Sequence, residues 1–145
     1  MNFIRLRKNN LCVENVSAIS LAKKYKTPFY CYSLSQLKSN FYNFNNAFRK
    51  TKPLICFSVK SNANIALLKE LKKIGSGADI VSAGELLKAT KAGISAKKIV
   101  FSGIGKTSEE IELAIKKKVL LINIESESEA ILINKIWRKM SKTTS

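Results

Sequence analysis

The sequence predicts an α/β fold assembled from parallel βα units, and two observations carry that expectation. From Pro53 onward short apolar runs recur at Leu54–Val59, Ala78–Ser82, Lys98–Ser102 and Leu120–Ile124, each followed by a polar or glycine-containing turn and an amphipathic stretch. Their starts lie 24, 20 and 22 residues apart, which is too long for hairpins and suits a strand with a crossover helix. Four such units fit either an open doubly wound sheet or part of a barrel. An open sheet would be complete at this length, whereas a (β/α)8 barrel takes about 250 residues, so a barrel would leave roughly half outside the 145 present.

The intervening stretches show helical periodicity. Leu67, Leu71 and Ile74 share one face of the first, Ile111, Ala114 and Ile115 one face of the third, and Ile133, Ile136, Trp137 and Met140 one face of the last. Three helix starts pair an N-cap hydroxyl with a glutamate three residues on: Ser82 with Glu85, Thr107 with Glu110, and Ser126 with Glu129. Gly75 and Gly93 sit where helices end in a left-handed residue. Upstream, Ser17–Lys26 reads as a helix stopped by Thr27-Pro28, Phe29–Tyr32 as a strand, and Leu34–Arg49 as a second helix with Leu37, Phe41, Phe44 and Phe48 near one face. This gives a lead-in segment over residues 1–52 and the βα series over 53–145.

Composition narrows the function classes. The chain is 46% hydrophobic with a mean hydropathy near zero, as expected of a soluble globular domain, and its apolar runs are too short to cross a bilayer. A formal charge of +16 could point to nucleic acid. The basic residues, however, are spread from Arg5 to Lys142, mostly at helix-surface positions, with no aromatic-interleaved basic motif, so a nucleic-acid partner is not expected. Cys12, Cys31 and Cys56 have no paired spacing and no apolar leader precedes them, which predicts a reduced, cytoplasmic setting. The chain has no histidine, which excludes histidine-based triads and metal sites within it.

Lys60 directly follows the strand Leu54–Val59, at the end where parallel α/β folds gather ligand-handling residues. A lysine there can serve as a Schiff-base nucleophile. Asp79 interrupts an otherwise apolar strand and therefore needs a partner: a backbone donor, a lysine or a ligand. Glu85 is read as part of its capping box. A dinucleotide fingerprint fails because Ile80 occupies the third glycine position and the turn precedes a strand. Gly105-Lys106-Thr107 has the tail of a phosphate-binding loop, but Val100 stands where that motif requires its first glycine, so Thr107 is read as an N-cap. Cys56 reads as a small core residue.

The order of these strings is more specific than any one of them. Phe57-Ser-Val-Lys60-Ser-Asn62, then Gly75-Ser-Gly-Ala-Asp79-Ile-Val-Ser82-Ala-Gly-Glu85, then Ile99 to Thr107, then Ile122-Asn-Ile-Glu-Ser126 resembles the diaminopimelate decarboxylase family, from about Thr27-Pro28 to Glu129. The family's first motif usually reads Tyr-Ala-Leu-Lys-Ala-Asn, and its lysine holds pyridoxal 5'-phosphate (PLP). Alanine racemases share the lysine motif but do not usually continue with the later strings.

The resemblance implies a partial PLP-binding (β/α)8 barrel, about its first four βα units, preceded by an N-terminal helix-strand-helix segment. It implies Lys60 as the Schiff-base residue, Asp79 as an acid of the cofactor pocket near it, and decarboxylation of meso-diaminopimelate to L-lysine by a homodimer. The family's ring-stacking histidine, glycine-rich phosphate loop, pyridine-pairing acid, substrate-binding arginine, partner-contributed cysteine and C-terminal β-domain are expected beyond residue 145. The 145 residues by themselves are therefore not expected to decarboxylate. The competing expectations are a non-catalytic PLP-binding relative, another decarboxylase or racemase of the same fold type, and a basic nucleic-acid-binding module.

Overall fold

The computed structural model describes residues 3–143, with side chains to residue 141, and divides into two compact units, Met1–Pro53 and Leu54–Ser145.

The first unit begins with a three-stranded antiparallel sheet, β1 (Ile4–Arg7), β2 (Asn10–Val13) and β3 (Val16–Ser17). Arg7 pairs with Asn10, so Lys8 and Asn9 form a two-residue loop, both at positive φ (47° and 57°), the geometry whose twist matches paired strands. This meander lies in a stretch for which the sequence suggested no element. Helix α1 (Ala18–Tyr25) follows, then α2 (Leu34–Ala47). Ser33 caps α2 by accepting from the Gln36 N–H, while the Glu14 carboxylate accepts from the Ser33 hydroxyl (2.8 Å) and the Ser35 N–H (2.9 Å). Phe29–Tyr32, expected as a strand, is unpaired: all four residues are exposed, Tyr30 at 90%, and no ladder partner lies beside them among the described residues. The aromatic composition that favours a strand has no sheet here to join. The expected face of α2 is only half realised, since Leu37 and Phe41 are half-buried while Phe44 and Phe48 pack against each other at a 45° tilt in the open.

The second unit is a four-stranded parallel sheet in the order β4 (Cys56–Ser58), β5 (Gly77–Ile80), β6 (Ile99–Phe101) and β7 (Leu121–Ile122). The crossovers contain α3 (Ile65–Lys73), α4 (Ala83–Lys91) and α5 (Ser108–Lys117), and α6 (Glu127–Thr143) follows β7. Strand order follows chain order without reversal. A doubly wound sheet reverses at its switch point and a (β/α)8 barrel does not, so this unit is four successive βα units of a barrel. Its core lies between sheet and helices: Leu68, Ile80, Leu86, Ile99, Phe101 and Ile111 are fully buried. Each of these stabilises the fold by about 1.5–3 kcal/mol relative to leaving it in water.

Local signals explain the helix ends. Gly75 (φ 92°) and Gly93 (φ 88°) take the left-handed position that a side chain resists, and both helices close with the double hydrogen bond of a Schellman turn. Thr107 and Glu110 form the full reciprocal capping box. At the other two starts the N-cap serine accepts as expected, but the glutamate reaches one residue further back: Glu85 takes the Val81 N–H and Glu129 the Glu125 N–H, both at 2.8 Å. The expected face of α3 is displaced by one residue, because Leu68, not Leu67, points fully into the core with Leu71.

Candidate active site

Three strand ends bring polar residues into one line. Asp79 lies within β5, half-buried, and accepts a hydrogen bond from the Ser102 hydroxyl at 2.5 Å. The Ser102 oxygen in turn accepts from Nδ2 of Asn123 at 2.9 Å. Ser102 and Asn123 each stand one residue past their strand, and their N–H groups extend the ladders to Ile80 O and Phe101 O, both at 2.8 Å. The polar partner that Asp79 required is therefore a hydroxyl from the next strand, a choice outside the three expected for it. Ser102 was part of a string already singled out. Asn123 was too, in the string Ile122-Asn-Ile-Glu-Ser126, but inside the run Leu120–Ile124 expected as a strand and not just beyond it.

Lys60 sits in a 3-10 turn, Val59–Ser61, that leaves β4 at its C-terminal end. The turn is held by Val59, which is fully buried, and by the Ser61 hydroxyl donating to Ser58 O (2.7 Å). Ser58 is the ladder partner of Asp79, which puts the two candidate residues on adjacent strands, Lys60 two positions beyond that pair. The Lys60 amine is exposed and makes no hydrogen bond or ion pair among the described residues. Next to Asp79, the Cys56 thiol is pushed up first by burial and then by the Asp79 charge, which keeps it protonated and unreactive.

Lys106, dismissed above as a phosphate-loop lysine, has a structural role that the sequence did not reveal. Its side chain is 1% exposed and its ammonium donates to Gly103 O (2.6 Å), Asn123 O (2.8 Å) and both oxygens of Glu129 (3.1 Å each). Burial pushes the Glu129 carboxyl up, but the Glu125 N–H and the Lys106 ammonium outweigh it and hold the group below the usual carboxylate range. The pair is 23 residues apart in sequence, so no local pattern exposes it. It joins the loop after β6 to the first turn of α6, directly behind Asn123.

The arrangement offers one accessible amine, one carboxylate fixed by a hydroxyl, and a rigid support. Among the described residues no cluster of three metal-ligating side chains exists, and no helix is long and apolar enough to cross a membrane.

Comparison with known proteins agrees with this fold. The pyridoxal-binding domain of the pyridoxal-dependent decarboxylases matches residues 34–143. The diaminopimelate decarboxylase of Helicobacter pylori strain J99 is 48% identical over 83% of this chain, and that of Haemophilus influenzae is 43% identical over 98%. A crystal structure of the M. jannaschii diaminopimelate decarboxylase in complex with L-lysine superimposes with a TM-score of 0.92 at 35% identity, over 97% of this chain and 34% of that one. The chain spans about a third of the length of the curated relatives it matches, 30% and 34% for the two named. With a family domain covering most of the sequence, four parallel βα units in barrel order and a lysine at the end of the first, the chain belongs to the pyridoxal-dependent decarboxylase family through its pyridoxal-binding domain.

Proposed function

We propose that this chain is the lysine-bearing part of a PLP-dependent diaminopimelate decarboxylase, with Lys60 as the residue that holds the cofactor and Asp79 as the acid beside it. A cofactor aldehyde requires an amine that is accessible and not already committed to acceptors. Lys60 meets both conditions at the C-terminal end of the first barrel strand, and this observation carries the reading. When bound, PLP supplies a ring that takes up the electron pair left as the substrate's carboxylate departs as carbon dioxide. This chain's contribution is to present the Lys60 amine on a pinned turn and to place the Asp79 negative charge on the neighbouring strand.

The relatives' names and the lysine in the M. jannaschii structure support meso-diaminopimelate as substrate and L-lysine as product. The full-length protein is a homodimer on this reading, residues 1–52 lead into the barrel, and residues 53–145 form its first half. The three unpaired cysteines fit a cytoplasmic setting. The residues present cover the amine end of the cofactor, so the purified 145-residue chain is expected to bind without turnover; release of carbon dioxide from diaminopimelate by it would refute that.

The direct test is reductive trapping. PLP followed by borohydride should attach a single pyridoxyl group to Lys60, located by mass mapping, and K60R should lose it. Label distributed over exposed lysines such as Lys72 and Lys97 in proportion to their number would overturn the assignment.

A further inference from the structure

The line Asp79, Ser102, Asn123 has a direction. An ionised Asp79 can only accept, so the single proton of the Ser102 hydroxyl points to Oδ1, and the hydroxyl's remaining contact must come from a donor. The Asn123 amide supplies one through Nδ2; turned over, it would offer a second acceptor to a proton already used. The orientation of all three groups is thus fixed in sequence, from the Asp79 carboxylate to the Ser102 hydroxyl to the Asn123 amide.

The far end of the line cannot drift. The backbone carbonyl of Asn123 accepts from the buried Lys106 ammonium, which is itself held by Glu129, while the Asn123 N–H stays on the ladder to Phe101. Asp79 is therefore tied through two side chains to the buried Lys106–Glu129 ion pair. None of the three residues reaches Lys60 by a hydrogen bond among the described residues. Their effect on it runs through the carboxylate on the strand beside Ser58.

We propose that Ser102 and Asn123 are positioning residues that hold the Asp79 carboxylate in one orientation for the group bound at Lys60. The proposal rests on the reading of Lys60 given under Proposed function. It assigns to two further strands a share in the cofactor site that acts through Asp79.

Asp79 is the only aspartate in the chain, so labelling with carboxyl-13C aspartate gives a single resonance that reports its hydrogen bonding. At neutral pH, S102A should move that resonance and S102T should return it to the wild-type position. N123A should also move it, although Asn123 does not touch Asp79; its exposed side chain makes this variant the one least able to disturb folding. The rate of reductive trapping at Lys60 should fall about threefold to tenfold in S102A, less in N123A, with recovery in S102T. An N123A resonance identical to wild type, or an S102A trapping rate identical to wild type in a folded protein, overturns the proposal. The two readouts separate the causes of failure: a wild-type chain that is not labelled at Lys60 removes the reading on which the proposal rests, whereas an unmoved carboxyl resonance removes only the positioning line.

Discussion

Lys60 and Lys106 are the same residue in comparable places. Each follows the C-terminal end of a parallel strand, in a turn that leads into the next helix, and each was eligible from sequence for ligand chemistry. The structure separates them by what surrounds the amine. Lys106 is buried, and an ammonium taken out of water must be met by acceptors; two carbonyls and both oxygens of Glu129 meet it, leaving no N–H for a ligand. Lys60 remains in water, its turn fixed by backbone and by Val59, and its amine has no partner among the described residues. Of these two strand-end lysines, the one that burial supplies with acceptors is a support, and the one left in water keeps its amine accessible for the role proposed for it.

Stability measurements should break this comparison most visibly. K106M leaves Glu129 buried and unpaired and should cost about 3–5 kcal/mol, read from the urea midpoint. K60M should stay within about 0.5 kcal/mol of wild type because it removes no contact. The double variant K106M/E129L should recover much of the loss, since what destabilises is one abandoned charge and not the absence of an ion pair. Equal urea midpoints for K106M and K60M would show that the Lys106 contacts do not hold the loop.

Acid pH probes the same support from its other side. Glu129 is held below its ordinary value of 4.5 in the folded chain. A depressed folded value means that its contribution is fully present above that ordinary value and is lost as pH falls through the lower, folded one. Glu14, lowered by the Ser35 N–H and then by the Ser33 hydroxyl, has the same sign in the first unit. Stability should therefore decline below about pH 4.5, and E129Q should flatten that decline while lowering the neutral-pH plateau. An unchanged acid slope in E129Q would mean that other carboxylates carry it.

What the sequence made legible follows from the range of each interaction. The parallel units, the helix caps at Thr107, Gly75 and Gly93, and the candidate residues Lys60 and Asp79 are all written within a few positions of each other. The contacts it hid are long in sequence: Ser102 to Asp79 and Lys106 to Glu129 are each 23 residues apart, one whole βα unit, and become neighbours only when strands align. Barrel against open sheet was likewise undecidable from spacing, because both use the same crossover length and differ only in strand order. The meander over Ile4–Ser17 was hidden for another reason: its strands are four residues or fewer and its turn uses Lys8 and Asn9, not a glycine. Phe29–Tyr32 shows the reverse error, strand-like composition with no ladder partner among the described residues.

A third lysine gives the smallest effect and the sharpest control. Lys118 ends α5 in the left-handed conformation (φ 55°, ψ 51°), and the Lys118 N–H to Ile115 O and Val119 N–H to Ala114 O bonds repeat the turn that Gly75 and Gly93 make at the two preceding helices. Its amine is exposed and without a partner among the described residues, so here only the backbone matters. Replacing it by glycine relieves the left-handed strain but adds freedom to the unfolded chain, and the net expectation for K118G is a gain of about 0.5–1 kcal/mol. K118A keeps the Cβ and discards the charge; it should gain nothing. If K118A stabilises as much as K118G, the relief comes from thinning the Lys116, Lys117, Lys118 cluster, and the third helix end is limited by charge and not by conformation.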